Sequence, residues 1–136
     1  MRIKFNTDSM AYIALFESST GAHVKDCLVE EHKILFVVEE GHAGLAIGRN
    51  GTNVKKLQNA MTKQIEILEF SKDPVKFAAN IFRPLNIRGG YISERSDGVR
   101  VLDITAPKNR MLARVKIKKV KSLVPKYFKI DVVEFS

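Results

Sequence analysis

The chain has 136 residues but only one cysteine, no tryptophan and four prolines. A lone Cys27 leaves no internal disulfide and no cysteine-based zinc site. No apolar stretch approaches the roughly 20 residues that a membrane helix needs. The opening Met1-Arg2-Ile3-Lys4-Phe5-Asn6 lacks the apolar stretch and small-residue cleavage site of a signal peptide. The expectation is therefore a cytoplasmic protein with no membrane partner. His23, His32 and His42 show no ligand spacing, so no metal is expected. No G-x-x-x-x-G-K-[ST] phosphate loop occurs, and Gly41, Gly44 and Gly48 miss the dinucleotide spacing. No cofactor is expected, and no enzyme activity.

Acidic residues are also missing, but only locally. The span Lys108–Lys129 holds nine basic side chains and no acidic one. Residues 1–70 carry 8 Lys/Arg against 9 Asp/Glu, whereas residues 71–136 carry 15 against 6. The overall +8 is thus concentrated in the second half. Such asymmetry marks a polyanionic partner more than a solubility device. The 45% apolar content predicts a real core in a chain of this length.

Patterning predicts mixed helix and strand, arranged twice in the same order. Thr7 and Asp8 are candidate caps for a helix from about Ser9 to Thr20, with Gly21 as the stop. Val24–Val29 and Lys33–Glu40 predict a hairpin turning at Glu30-Glu31-His32. Ile34-Leu35-Phe36-Val37-Val38 is apolar without alternation, as in a strand covered on both faces. A short helix near Ala43–Ile47, the tetrapeptide Gly48-Arg49-Asn50-Gly51 and a helix over Thr52–Met61 follow. Ile65–Phe70 closes the unit as a strand. In the second half, Asp73 and Pro74 predict a helix start, running to Phe82. Gly89–Arg95 and Val99–Thr105 flank the turn Ser96-Asp97-Gly98. A basic helical region over Lys108–Val124 leads to a strand at Ile130–Phe135.

The closing strands match position for position at a shift of 65, from Ile65/Ile130 to Phe70/Phe135. At a shift of 66, Leu45-Ala46-Ile47 faces Met111-Leu112-Ala113, and Val54 and Leu57 face Val120 and Leu123. The expected domains are 1–70 and 74–136, each an α+β unit with a three-stranded sheet packed against helices. A short linker and small separate cores predict that the two pack rigidly.

Gly48-x-x-Gly51 is the segment with chemistry in it. Glycine lets a nucleic-acid backbone approach closely. The helix starting near Thr52 offers unpaired N–H groups and the positive end of its dipole. Arg49 adds a cation and Asn50 a donor, with Lys55 and Lys56 on the rim. Ile47 and Val54 can form an apolar floor for bases.

Gly44-Leu45-Ala46-Ile47-Gly48-Arg49-Asn50-Gly51-Thr52-Asn53-Val54, in the order α-β-β-α-α-β, resembles the type II KH domain. The whole chain is similar to the tandem pair of such domains in archaeal NusA-like transcription elongation and termination factors. The resemblance implies binding of single-stranded RNA, with about four nucleotides clamped by their backbone. Its implied contacts are Gly48, Arg49, Asn50 and Gly51, with Ile47, Val54, Lys55 and Lys56 beside them. RNA polymerase is a candidate partner. Bacterial relatives carry a further polymerase-binding domain and a cold-shock-like barrel, for which this chain is expected to have no room. Arg114-Val115-Lys116-Ile117 stands where the second unit's loop glycines would fall, so that unit is expected to lack the clamp. Arg114, Lys116, Lys118, Lys119 and Lys121 form a candidate secondary basic face. The alternative function is a ribosome-associated or assembly protein on the same fold; a peripheral membrane protein is a weaker third.

The remaining candidates have plainer readings. Glu30-Glu31 and Glu39-Glu40 fall at opposite ends of the hairpin, too far apart for paired-carboxylate catalysis. Cys27, Phe77 and Phe82 fit core positions, the three histidines fit turns or element ends, and Ser18-Ser19-Thr20-Gly21 fits a helix end. Tyr91 and Tyr127 could stack on a base or simply pack.

Overall fold

A strand that is apolar at five successive positions needs cover on both faces. The computed structural model describes residues 7–136, apart from the side chains of Thr7, Asp8, Arg110 and Leu112. In it Ile34, Leu35, Phe36, Val37 and Val38 are all buried. They lie in β2 (Lys33–Val38), the middle strand of a three-stranded sheet. β1 (Val24–Val29) pairs with it antiparallel and β3 (Gln64–Glu69) pairs parallel. Parallel neighbours require a crossover. Here it consists of α2 (Ala43–Ile47), a 3-10 turn at Arg49–Gly51, and α3 (Thr52–Met61). α1 (Thr7–Thr20) precedes the hairpin and ends where Gly21 N–H bonds the Glu17 carbonyl. The capping expected of Thr7 and Asp8 falls outside the described side chains.

One face of this sheet presents Cys27, Ile34, Phe36 and Val38 to Phe16, Ala46, Leu57 and Met61 from the helices. The Phe16 and Phe36 rings stack with centroids 4.1 Å apart. Truncating either ring to alanine costs about 3–5 kcal/mol by the usual core-cavity scale.

The chain divides into Met1–Phe70, just described, and Ser71–Ser136. The second unit opens as its sequence dictates. The Asp73 carboxylate accepts from Val75 N–H at 2.9 Å, and Pro74 takes the first position of α4 (Pro74–Phe82). β4 (Gly89–Glu94) and β5 (Arg100–Thr105) form a hairpin, closed by Gly98 N–H to Arg95 O and Val99 N–H to Asp97 Oδ1. α5 (Arg110–Tyr127) crosses over to β6 (Val132–Phe135), parallel to β5. Phe77, Phe82, Leu102, Ile104, Val120 and Val124 are fully buried, so Phe77 and Phe82 are core residues. The Tyr127 ring meets Phe77 edge-on at 5.7 Å, a packing role.

The internal repeat has a structural counterpart. Phe36 opposes Ile67 and Val37 opposes Leu68, while Val101 opposes Val132 and Leu102 opposes Val133. The shift of 65 therefore holds for both strands of the parallel pair. The helical match is looser: Leu57 and Leu123 are both buried, but Ile47 is exposed where Ala113 is buried.

Several details differ from the sequence reading, among them β2 ending at Val38 rather than Glu40 and β3 lying at Gln64–Glu69 rather than Ile65–Phe70. β6 starts at Val132 rather than Ile130, because Ile130 is buried ahead of the ladder and Asp131 N–H bonds Arg100 O. α5 continues through Pro125 to Tyr127: the proline forgoes its own N–H bond and crowds the carbonyl four residues back, yet the helix holds beyond it, with Phe128 N–H on Val124 O. No turn interrupts Arg114–Ile117. Without glycine there, the residues propagate one unbroken helix, and the second unit has the order α-β-β-α-β.

Candidate nucleic-acid interface

The loop that follows α2 is held from below by polar contacts to its own sheet. His42 starts the turn, with its N–H on Glu39 O and its ring Nδ1 accepting from His23 N–H at 2.9 Å. Ala43 N–H bonds the Glu69 carboxylate of β3 at 3.2 Å. Ala46 is the buried foot of α2, which leaves Leu45 and Ile47 exposed. The two helices of the crossover pack against each other.

Between them the backbone takes an unusual path. Gly48 (φ 76°, ψ 168°), Asn50 (φ 57°, ψ 28°) and Gly51 (φ 72°, ψ 18°) all have positive φ, three within four residues. At Gly48 the pair of angles lies in a region open essentially to glycine alone. A Cβ there would also lie 2.8 Å from Asn53 Cγ and 2.9 Å from its Nδ2. Asn53 is fixed in that position because its amide donates to Leu45 O at 2.8 Å, tying α3 back to α2. The Thr52 hydroxyl donates to Arg49 O, closing the turn from the other side. Gly51 N–H bonds Gly48 O at 3.1 Å.

The geometry gives the loop its chemical character. Gly51 is the N-cap of α3 and supplies no side chain, so no side-chain oxygen occupies the first-turn N–H groups. Those donors and the helix dipole favour an anion. Arg49 and Asn50 project exposed from the tip, and Lys55 and Lys56 are exposed on the first turns of α3. Ile47 is 42% exposed, while Val54 is half-buried. The structure thus brings Ile47, Gly48, Arg49, Asn50, Gly51, Val54, Lys55 and Lys56 onto one contiguous segment. Asn50 has a second role that its donor chemistry did not suggest, because asparagine tolerates the left-handed conformation better than most residues. Asn53 carries no local sequence signal; its importance comes from a tertiary contact.

The secondary basic residues divide by helical spacing. Arg114, Lys118 and Lys121 are exposed on one flank of α5, whereas Lys116 and Lys119 are half-buried and point to the other side. Tyr91 is 63% exposed on β4. Glu30 bridges towards Lys33 at 4.0 Å, and Lys33 reaches Glu66 at 3.2 Å, an ordinary surface network. Cys27 is buried, and desolvation, aided by Asp26, pushes its thiol up to about 11. Among the described residues no group of three or more His, Cys, Asp or Glu could hold a metal ion. No helix among them is long and apolar enough to cross a membrane.

Comparison with known proteins agrees with this geometry. The KH domain family model matches residues 11–123. A probable transcription termination protein NusA from Methanococcus vannielii is 43% identical over 94 residues, 69% of this chain and 54% of that one. One of the same description from Halococcus morrhuae is 32% identical, over 76% of this chain and 75% of its own. This chain belongs to the KH-domain family, in its archaeal NusA-like branch. It spans about half the length of the Methanococcus vannielii relative. The crystal structure of APE1850 superposes on 97% of this KH protein and 100% of its own chain, with a TM-score of 0.77 and 30% identity. The two sheets with their helices are a tandem of type II KH-type units, the second with a continuous helix in place of the loop. KH modules clamp about four nucleotides of backbone against a G-x-x-G loop.

Proposed function

We propose that this protein binds single-stranded RNA through Gly48–Gly51 and acts as a NusA-like factor in transcription elongation and termination. The observation that carries the reading is the loop itself. Three positive-φ residues, braced by Asn53, open onto an uncapped helix N-terminus with Arg49 at the tip. Gly48, Arg49, Asn50 and Gly51 contact the phosphates, Ile47 and Val54 the bases, and Lys55 and Lys56 the continuing strand. Arg114, Lys116, Lys118, Lys119 and Lys121 add long-range attraction, since the half that holds them carries most of the positive charge. The role is one of binding, not catalysis. The NusA-named relatives favour this reading over a ribosome-associated protein, and RNA polymerase in the cytoplasm is the natural partner.

The test is fluorescence anisotropy with an unstructured RNA, using the Arg49→Asp/Asn50→Asp variant. Both positions are exposed, and aspartate also tolerates the left-handed region, so folding should be retained. Carboxylates facing phosphates at a helix N-terminus should abolish most binding. Undiminished affinity in the folded variant would refute this placement of the site. Co-purification with RNA polymerase, as against co-sedimentation with ribosomes, tests the assignment to transcription.

A further inference from the structure

The side of α5 turned away from its core is not the lysine-covered surface that its composition predicts. Ala113, Val120, Leu123 and Val124 are buried and define the inner face. Directly opposite, at alternating spacings of four and three, lie Met111, Val115, Lys118, Ser122 and Pro125, all exposed. Met111 at 88% and Val115 at 65% are the most exposed large apolar side chains among the described residues. They sit one turn apart on the crest, with Lys118 at its edge and Arg114 and Lys121 down the flank on that side. Met111, Arg114, Ile117, Lys118 and Lys121 line an open hollow of about 440 Å³ beside that crest. No acidic side chain occurs anywhere from Lys108 to Lys129.

The geometry points to a docking surface for an acidic, amphipathic helical segment of another protein. Two apolar anchors a turn apart are what a helix presents when it packs along a second helix. Methionine and arginine are enriched at protein interfaces, and methionine adapts to irregular partners. The flanking cations call for carboxylates beside the partner's apolar stripe, which would steer its approach and exclude basic competitors. Nucleic acid fits the crest less well. It holds no aromatic ring on which a base could stack, and hydrocarbon at its highest points gains nothing against phosphate. RNA attraction by the lysines and docking on the crest are separable, because the apolar anchors carry no charge.

The probe is a stapled four-turn helical peptide with leucines at positions i and i+4 of one face and glutamates flanking them. Its control has the same charge, with serines replacing the leucines. Binding of both to the full chain is read by fluorescence anisotropy, alongside an unstructured RNA. The leucine peptide should bind at least tenfold more tightly than its control. In Met111→Ser/Val115→Ser, which keeps every charge and alters only exposed positions, that preference should fall below twofold, with RNA affinity unchanged. Equal binding of the two peptides to the parent would overturn the proposal, since charge alone would then explain it. A preference that survives in the variant would overturn it too, as would a loss confined to RNA, which would make the crest part of the RNA path.

Discussion

Gly48→Ala separates two reasons for a glycine that the motif alone cannot distinguish. The first is conformational: φ 76° with ψ 168° costs about 1–3 kcal/mol for any other residue. The second is steric: a Cβ would lie 2.8 Å from Asn53 Cγ and 3.0 Å from Asn53 N, so the amide must move. Moving it breaks the bond to Leu45 O, worth about 1 kcal/mol. The combined loss is about 2–4 kcal/mol of loop stability. Gly51→Ala offers the internal control. Its φ is also positive, but a Cβ there meets nothing within 4 Å, so about 1–2 kcal/mol is expected. Urea denaturation gives the stability difference, and RNA anisotropy gives the affinity, where each 1.4 kcal/mol is tenfold. Asn53→Ala removes the amide that the new methyl would strike. The double variant Gly48→Ala/Asn53→Ala should therefore lose about 1 kcal/mol less than the sum of the single losses. Strict additivity, or a Gly48→Ala cost no greater than that of Gly51→Ala, would show that Asn53 does not brace the loop.

Replacing Lys116, Lys118, Lys119 and Lys121 with neutral residues should weaken RNA binding similarly for all sequences. It should also flatten the log–log salt dependence by roughly 0.7 for each phosphate no longer neutralised; an unchanged slope would assign those lysines to protein contacts. Cys27 ionises near 9.0 when unfolded but only at about 11 in the fold, so between these values the unfolded chain holds fewer protons. Stability should therefore fall as pH rises through that window and be intact below it, and the parent-minus-Cys27→Ala difference from pH 8 to 11 measures the effect. Asp73→Ala removes the carboxylate that caps α4 and should cost about 1 kcal/mol in urea denaturation, with RNA affinity unaffected.

Local rules made much of this fold legible. Asp73-Pro74 and Ser96-Asp97-Gly98 each satisfy their own backbone within a few residues, so sequence alone located them. The facing ends of Ala43–Ile47 and Thr52–Met61 were legible because Gly48 and Gly51 bound them. The end of α5 was not legible, since a proline in the last turn can either stop a helix or ride in it, and packing of Tyr127 on Phe77 decides. The start of β6 depends on where Asp131 is held by the backbone of β5, a contact across 31 residues of sequence. In the loop, the glycines and Arg49 were readable by type. The bracing by Asn53 and the left-handed turn at Asn50 were not, because each exists only once α2 and α3 are side by side.

The crossover that carries the loop also determines how the fold bears a mechanical load. The loop joins the sheet through α2, attached at the Val38 end of β2, and through α3, attached at the Gln64 end of β3. Val38 opposes Glu69 and Lys33 opposes Gln64, so these attachments lie at opposite ends of the parallel ladder. The loop is therefore moored at both ends of the ladder instead of at one. The Ser96–Gly98 turn is the contrasting case, because both its strands leave from one end of an antiparallel pair and would part rung by rung. A load on the Gly48–Gly51 loop is thus shared between the two ends of its sheet, whereas a load on the hairpin turn falls on one.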